Sequence, residues 1–186
     1  MTSCHKAEEV FGIEKSAKRR VFNMKEIFLA GGCFWGTQKF FDQFDGIIET
    51  EVGYANGKFQ NPTYEQVCYE DTGHAETVRI RFDEQSISVT EILEKYFLTI
   101  DPLSVNRQGG DVGEQYRTGI YYEDDSLLPE IEAAALKETE KVGQPLAVEV
   151  KHLENFFPAE EYHQKYLDKN PGGYCHIPAR LMSMKI

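Results

Sequence analysis

The chain has 186 residues, 41% of them hydrophobic, and a formal net charge of −11. This length and composition predict one globular domain with a proper core. The acidic balance argues against a nucleic-acid-binding protein, because phosphate binding needs a basic surface. No apolar run reaches the roughly 20 residues of a membrane helix, and the N-terminus lacks the apolar segment of a signal peptide. We therefore expect a cytoplasmic protein that binds neither membrane nor nucleic acid.

Residues 1–24 carry three acidic and five basic side chains, which predicts a polar N-terminal extension, partly helical, ahead of a single domain at 25–186. Apolar spacing then predicts the regular elements of that domain. Strands are expected at 27–30, 47–54, 76–82, 118–122 and 147–153, and helices at 37–44, 63–67 (or a turn), 89–97, 127–142 and 159–168. Residues 103–115 have no apolar period, and long structureless loops are usually functional.

Strands interspersed with helices of this length predict an α+β fold. We expect a two-layer sandwich in which a mixed sheet with a ferredoxin-like core is covered by helices. Residues 174–186 should form a long irregular C-terminal tail.

The stretch 27–36, IFLAGGCFWG, places Cys33 at the junction of a predicted strand and a predicted helix. Four apolar residues suit a buried strand, and Gly31 and Gly32 allow a sharp turn. Free backbone N–H groups and the helix dipole favour an anion there, so we expect a lowered thiol pKa and a nucleophile. A small buried hydrophobe is the alternative, because that is the usual role of a lone cysteine.

Glu76 opens a predicted strand and shares one face of it with Val78, Ile80 and Phe82. Its carboxyl group therefore points toward the apolar side of the sheet. Burial without a cation raises the pKa of a carboxyl group, which would let Glu76 keep a proton near neutral pH and donate it. An exposed glutamate at the end of a strand is an equally good interpretation of the same pattern.

His74 and Glu76 also match the H-x-E half of the zinc deaminase signature, but no P-C-x-x-C follows. The cysteines at 4, 33, 68 and 175 are far apart, so neither a disulfide framework nor a C-x-x-C pair is present, and the scattered histidines add no ligand spacing. We therefore expect no metal. A zinc-dependent deaminase or hydrolase is the alternative class of enzyme.

Three further residues stand beside segments that look functional. Tyr64 lies in N-P-T-Y, Tyr116 ends the loop 103–115, and Asp111 lies close to glycines within that loop. Packing is the ordinary role of a tyrosine, and a turn is the ordinary place of such an aspartate. From spacing alone these residues are candidates only.

Cys175 lies in G-G-Y-C-H, a glycine-flanked segment that we expect to be mobile. A thiol on such a segment can reach a distant cysteine, which suggests a resolving thiol that condenses with a sulfenic acid. An ordinary exposed cysteine is the alternative. Cys4 could take the same role from the other terminus, whereas Cys68, on an apolar turn, should be structural.

The chain from about residue 25 to residue 177 resembles the A-type peptide-methionine sulfoxide reductases. The resemblance rests on ordered blocks: GCFWG at 32–36, GY at 53–54, NPTYEQVC at 61–68, TGHAE at 72–76, NRQGGDVGEQYR at 106–117, EYHQKYL at 161–167 and GYCHI at 173–177. Blocks of this length in this order argue strongly against chance.

The resemblance implies a thiol-dependent enzyme that reduces methionine S-sulfoxide, protein-bound and free, to methionine and so repairs oxidative damage. It makes Cys33 the nucleophile that becomes a sulfenic acid and Glu76 the acid that protonates the sulfoxide oxygen. Tyr64 and Tyr116 would be the hydrogen-bonding partners of that oxygen. An aromatic wall for the methyl group and donors for the oxygen are what such a substrate needs.

The same resemblance assigns the aromatic wall to Phe34 and Trp35, and it makes Asp111 an acid that supports the site from outside it. Cys175 would be the resolving cysteine that forms a disulfide with Cys33, and thioredoxin would reduce that disulfide. No other cofactor is implied, and we expect a monomer.

Three features depart from the family pattern. The N-terminal extension with Cys4 has no counterpart, Asn56-Gly57 replaces a Gly-Gly pair, and no cysteine follows Cys175. Thioredoxin would therefore have to attack the Cys33–Cys175 disulfide directly. A module that binds methionine sulfoxide without turnover remains a further alternative.

Overall fold

A computed structural model describes residues 23–183 of the protein. The expected N-terminal extension, with Cys4, falls outside these residues except for Asn23 and Met24. Met24 already begins the first strand of the domain, one residue before the expected boundary. No helix within 23–183 is long and apolar enough to cross a membrane.

Eight strands and five α-helices make up the described part of the chain. The strands are β1 (Met24–Gly31), β2 (Ile47–Ala55), β3 (Ala75–Asp83), β4 (Arg107–Gln108), β5 (Asp111–Val112), β6 (Thr118–Tyr122), β7 (Glu149–His152) and β8 (Phe156–Pro158). The helices are α1 (Phe34–Phe41), α2 (Tyr64–Tyr69), α3 (Val89–Thr99), α4 (Leu128–Val142) and α5 (Tyr166–Lys169).

The main sheet has six strands in the order β7-β6-β1-β3-β2-β8, and β4 pairs only with β5. Neighbouring strands are antiparallel except β6 and β7, which are parallel. The units β1-α1-β2 and β3-α3-β6 each skip one strand, which is the split βαβ arrangement of ferredoxin-like folds. The predicted α+β class with a mixed sheet and a ferredoxin-like core is confirmed.

One face of the sheet packs against α1, α3 and α4 and forms the main hydrophobic core. The alternation of β3 directs Val78, Ile80 and Phe82 to this face, and all three are fully buried. A fully buried side chain of this size contributes about 1.5–3 kcal/mol through removal from water. A smaller cluster around Phe28 and Tyr121 covers the other face.

The predicted apolar face of α1 is correct, although the helix begins and ends three residues earlier than expected. Phe40, Phe41 and Phe44 pack edge to face against one another with ring centroids 5.1–6.3 Å apart. The helix itself ends at Phe41, so Phe44 packs from the turn that follows.

The predicted helix at 159–168 is wrong, because only Tyr166–Lys169 is helical. Contacts with β2 replace the earlier turns: the Gln164 side chain bonds both the N–H and the carbonyl of Val52. Lys165 adopts a left-handed φ of 53° and donates its N–H to Gln38 Oε1 at 2.7 Å. Hydrogen bonds to distant residues thus override the local helical period.

Two other segments contain structure that apolar spacing did not predict. The segment 103–115 holds the small β4–β5 hairpin and a 3-10 helix at Glu114–Tyr116. The edge strand β8 pairs with β2 and ends on Pro158, a residue that strands tolerate at edges.

Residues 174–183 of the predicted C-terminal tail are irregular as expected, apart from a 3-10 turn at Ala179–Leu181. The tail is docked, however, rather than loose: Ile177 and Leu181 belong to the main core and are 3% and 4% exposed. These two apolar residues hold the tail against α1 in this structure, and the expected mobility of the segment around Cys175 stays a prediction.

Candidate active site

Cys33 lies between the end of β1 and the first residue of α1, as the sequence predicts. The sharp turn depends on Gly32, which has a φ of +80° and approaches Gln108 so closely that a Cβ would lie 2.6 Å from the Gln108 Cβ. Only glycine fits both conditions. Cys33 itself is 6% exposed, so its thiol sits in a nearly closed position.

Glu76 lies beside the first turn of α1. Its Oε2 accepts a hydrogen bond from the Phe34 backbone N–H at 3.0 Å, and the residue is 1% exposed. Since β3 begins at Ala75, Glu76 is inside the strand and on its apolar face. The interpretation as a buried acid is confirmed, and that of an exposed strand-end glutamate is wrong.

Burial determines the electrostatics of both groups. It raises the pKa of Glu76 to about 8, with Asp111 adding to the rise and the Phe34 N–H opposing it. Burial and then the Glu76 charge also raise the pKa of the Cys33 thiol well above its ordinary value, although the backbone N–H groups of Trp35 and Gly36 lower it. The expected low thiol pKa is wrong, because desolvation outweighs the helix terminus.

The two candidate tyrosines lie near enough to Glu76 for its charge to act on both. For both Tyr64 and Tyr116, burial is the first cause of a raised pKa and the Glu76 charge is the second. Tyr64 begins α2, whose start is fixed by a capping box between Thr63 and Gln66. Tyr116 ends the 3-10 helix. The structure therefore brings together an acid, two phenols and the Cys33 thiol.

Aromatic rings form the adjoining wall. Phe34 is 1% exposed and its ring lies 5.9 Å from that of Tyr54. Trp35 stacks on Tyr166 with centroids 3.9 Å apart and planes at 17°. The wall is thus held from behind by residues of β2 and α5.

Sequence reasoning missed His163, which orients this wall. His163 Nδ1 accepts the indole N–H of Trp35 at 3.0 Å, its ring lies 4.4 Å from Tyr64, and the residue is 1% exposed. Glu160 was missed as well: it accepts the Tyr54 hydroxyl and the Tyr64 backbone N–H, each at 2.9 Å. The block EYHQKYL at 161–167 indicated that this region matters. The predicted helix, however, did not show that these side chains point toward the aromatic wall.

Asp111 lies at the outer side of the site, in the β4–β5 hairpin. Burial is the first cause of the pKa shifts of the surrounding groups, and the Asp111 charge raises the pKa of every one of them: Cys33, Glu76, Tyr116, Tyr174, Cys175 and His176. Asp111 Oδ2 is buried with no hydrogen-bond partner among the described residues. The Asp111 charge thus acts on the site from the hairpin, and its supporting role stays a prediction.

Cys175 packs against the first turn of α1. A Cβ on Gly36 would lie 2.8 Å from Cys175 Sγ, so the sulfur rests on the helix backbone one turn from Cys33. The Cys175 thiol donates to the Ile177 carbonyl at 3.7 Å. Both cysteines are free thiols in this structure.

The remaining cysteine and histidine candidates have structural partners. Cys68 is on α2, where burial raises the pKa of its thiol and the Tyr64 side chain lowers it. His74 Nε2 lies 2.9 Å from the Phe59 carbonyl, which holds the preceding loop. Within 23–183 no group of three or more His, Cys, Asp or Glu side chains is arranged to hold a metal.

Comparisons with known proteins agree with one another. The family described as peptide methionine sulfoxide reductase matches residues 25–186. A peptide methionine sulfoxide reductase of Lachnoclostridium phytofermentans is 55% identical over 82% of this chain and 92% of its own length, and one of Clostridium acetobutylicum is 52% identical over 86% and 98%.

Solved structures show the same relationship. Reduced Mxr1 of Saccharomyces cerevisiae matches with a TM-score of 0.78 and 38% identity over 82% of this chain and 88% of that one. Methionine sulfoxide reductase A of Corynebacterium diphtheriae matches with 0.73 and 33% over 82% and 77%. This chain belongs to the peptide methionine sulfoxide reductase family.

Proposed function

We propose that this protein reduces methionine S-sulfoxide, in proteins and free, to methionine, with Cys33 as the nucleophile. The observation that carries the proposal is the buried Glu76 carboxyl, hydrogen-bonded to the first turn of the helix that Cys33 begins. An acid with a pKa of about 8 keeps its proton at neutral pH and can give it to an oxygen.

The substrate chemistry matches both halves of the site. A sulfoxide has a polar S–O bond next to a methyl group. We place the methyl group against Phe34 and Trp35 and the oxygen among Glu76, Tyr64 and Tyr116. Donors held in a dry site stabilise the charge that develops on the oxygen as sulfur attacks sulfur.

The first step transfers the oxygen atom. Cys33–SH and the sulfoxide give Cys33–SOH and the thioether: the substrate sulfur gains two electrons, and the cysteine sulfur loses two. Glu76 supplies a proton to the oxygen as its bond to the substrate breaks and recovers one from the thiol, so that no proton is lost. Methionine then leaves.

Two further steps restore the enzyme. Cys175 attacks the sulfenic acid, a Cys33–Cys175 disulfide forms and water leaves. A thioredoxin-type dithiol then reduces the disulfide by exchange. A groove of about 640 Å³ beside Cys175 supports access of such a reductant from that side of α1. We retain the cytoplasm as the location, because the cycle needs a reducing compartment, and residues 25–186 as a monomeric catalytic domain.

A single-turnover experiment tests the proposal. Fully reduced protein is mixed with methionine S-sulfoxide in the absence of any reductant, and methionine and free thiols are counted. We expect one methionine per chain, a fall from the four thiols of the sequence to two, and a peptide map that links Cys33 to Cys175. Four surviving thiols without methionine would contradict the proposal, and bound but unreduced sulfoxide would identify a binding module instead.

A further inference from the structure

His176 is an unexplained polar ring at the point where the tail meets the catalytic turn. It follows Cys175 directly, and both ring nitrogens are buried and lack a well-formed hydrogen bond among the described residues, although the Gly31 backbone acts on the ring as a weak hydrogen-bonding group. A Cβ on Gly32 would lie 3.3 Å from His176 Cε1, and one on Gly109 would lie 3.3 Å from its Cβ. The imidazole therefore packs beside Gly32, the residue before Cys33, and is adjacent in the chain to the other sulfur.

The Asp111 charge acts on this ring, and the charged side chains of Lys39 and Asp168 line the same groove as His176. Burial lowers the pKa of His176, and Asp111 and the Gly31 backbone raise it. Asp111 also acts on both thiols, Cys33 and Cys175, and it pairs with Tyr174. One carboxylate, one imidazole and two thiols thus lie close together at the side of α1 where Cys175 and His176 line the groove.

Disulfide formation needs a proton carrier beside the two thiols. Cys175–SH and Cys33–SOH give the disulfide and water, so Cys175 must lose a proton and the departing hydroxide must gain one. In the structure the Cys175 thiol donates to the Ile177 carbonyl, which is no base, and burial raises the pKa of that thiol. A neutral imidazole is the usual carrier for such a transfer.

We propose that His176 takes the proton of the Cys175 thiol and passes it to the hydroxide that leaves Cys33, with the Asp111 carboxylate stabilising the transient imidazolium. The S–O bond of the sulfenic acid breaks, the S–S bond forms, and the proton ends on water. This role rests on the proposed function of Cys33 and Cys175. With this role for His176, the two steps use different proton-transfer groups: Glu76 acts in oxygen transfer, and His176 acts in disulfide formation.

The test compares the rates of the two steps in one experiment. Reduced protein is mixed with methionine S-sulfoxide without reductant, samples are quenched with a thiol-blocking reagent, and methionine and free thiols are followed over time. For His176→Gln we expect the one-per-chain methionine burst with disulfide formation slowed at least about tenfold. The rise of that rate with pH across the imidazole titration should also disappear. His152→Gln, remote at the end of β7, is the matched control.

A second variant guards against a packing effect. In His176→Ala, added imidazole should restore disulfide formation in proportion to its basic form, which a purely structural ring would not explain. Disulfide formation at the control rate with an unchanged pH profile in His176→Gln would overturn the proposal, as would equal slowing of both steps with no rescue. Absence of a methionine burst in the unaltered protein would instead refute the proposed function itself.

Discussion

The two sides of α1 are built from different kinds of structure. On the Glu76 side, β3, α2 and α1 present the acid, Tyr64 and the aromatic wall, and distant residues fix each of them. On the Cys175 side, the β4–β5 hairpin and the irregular tail present Asp111, His176 and the second thiol. The first side serves a step in which fixed geometry lowers the barrier. The second serves a step in which two sulfur atoms form a bond, and such a bond needs Cα atoms about 4.4–6.8 Å apart.

Substitution of the two cysteines should give the largest difference between the two sides of α1. Cys33→Ser should give no methionine above the background without protein, because nothing else can accept the oxygen. Cys175→Ser should still give one methionine per chain and then stop as a sulfenic acid. Methionine yield and sulfenic-acid trapping measure both. Recycling of Cys175→Ser by thioredoxin at the normal rate would refute the resolving role.

The next largest effect is expected from a substitution on the Glu76 side of α1, which affects oxygen transfer only. Glu76→Gln keeps the shape of the carboxyl group but cannot donate its proton, so oxygen transfer should fall about 10²–10³-fold. The rate of the burst under single-turnover conditions measures this. In the unaltered protein the burst should slow as pH rises through the Glu76 pKa of about 8. A burst rate that is independent of pH in that range would argue against Glu76 as the acid.

The same variant should be more stable. The folded pKa of Glu76 is about 8 and its ordinary value is 4.5, so between these values the folded protein holds a proton that the unfolded chain has lost. Stability of the unaltered protein therefore falls as pH rises through this window and levels above it. Glu76→Gln lacks this loss, and its advantage should reach about 5 kcal/mol above the folded pKa. Urea unfolding across the window measures the difference, and a constant offset would contradict the account.

A smaller effect is expected where the two sides touch. Alanine at Gly36 favours the helix by about 1 kcal/mol, but its methyl carbon would lie 2.8 Å from Cys175 Sγ. Gly36→Ala should therefore displace the tail and slow disulfide formation about tenfold, while the methionine burst keeps its amplitude. Gly172→Ala is the control, since nothing lies within 4 Å of a Cβ there. Equal disulfide rates in the two variants would show that Cys175 does not need this contact.

The smallest effect tests how firmly the aromatic wall is held. His163→Phe keeps a ring but removes the acceptor of the Trp35 N–H, a bond worth about 1 kcal/mol, so KM should rise several-fold with little change in kcat. His163→Gln, which retains an acceptor, should recover part of the loss. Trp35 is the single tryptophan of the chain, so its fluorescence reports the change directly. An unchanged spectrum and KM would show that stacking on Tyr166 alone orients the indole.

Local sequence determined those features that depend on neighbouring residues. The glycine pair after an apolar run places Cys33 between β1 and α1, and the period of two places Glu76 on the buried face of β3. Resemblance supplied the tyrosines, whose spacing alone said little. The residues that meet across the fold could not be predicted this way: His163 acts on Trp35 from 128 positions away.

The prediction of a low pKa for the Cys33 thiol was wrong for the same reason, because residues that are distant in sequence determine that pKa. The helix terminus is a local feature, and it does lower the pKa as expected. The larger opposing influences, burial and the Glu76 charge, come from the packing of β3 against α1 and are invisible in the decapeptide around Cys33. Similarly, the helical period of 159–168 gave way to the bonds that Gln164 makes with β2.

A nucleophile that rests as a neutral, buried thiol also has a defensive value. Hydrogen peroxide oxidises thiolates far faster than thiols, and further oxidation to a sulfinic acid is irreversible for most proteins. A repair enzyme works where such oxidants are abundant, so a permanently ionised cysteine would be consumed before it met damaged methionine. A neutral Cys33 thiol is therefore protected from peroxide. It reacts with a sulfoxide, because that substrate binds against the aromatic wall and accepts the Glu76 proton.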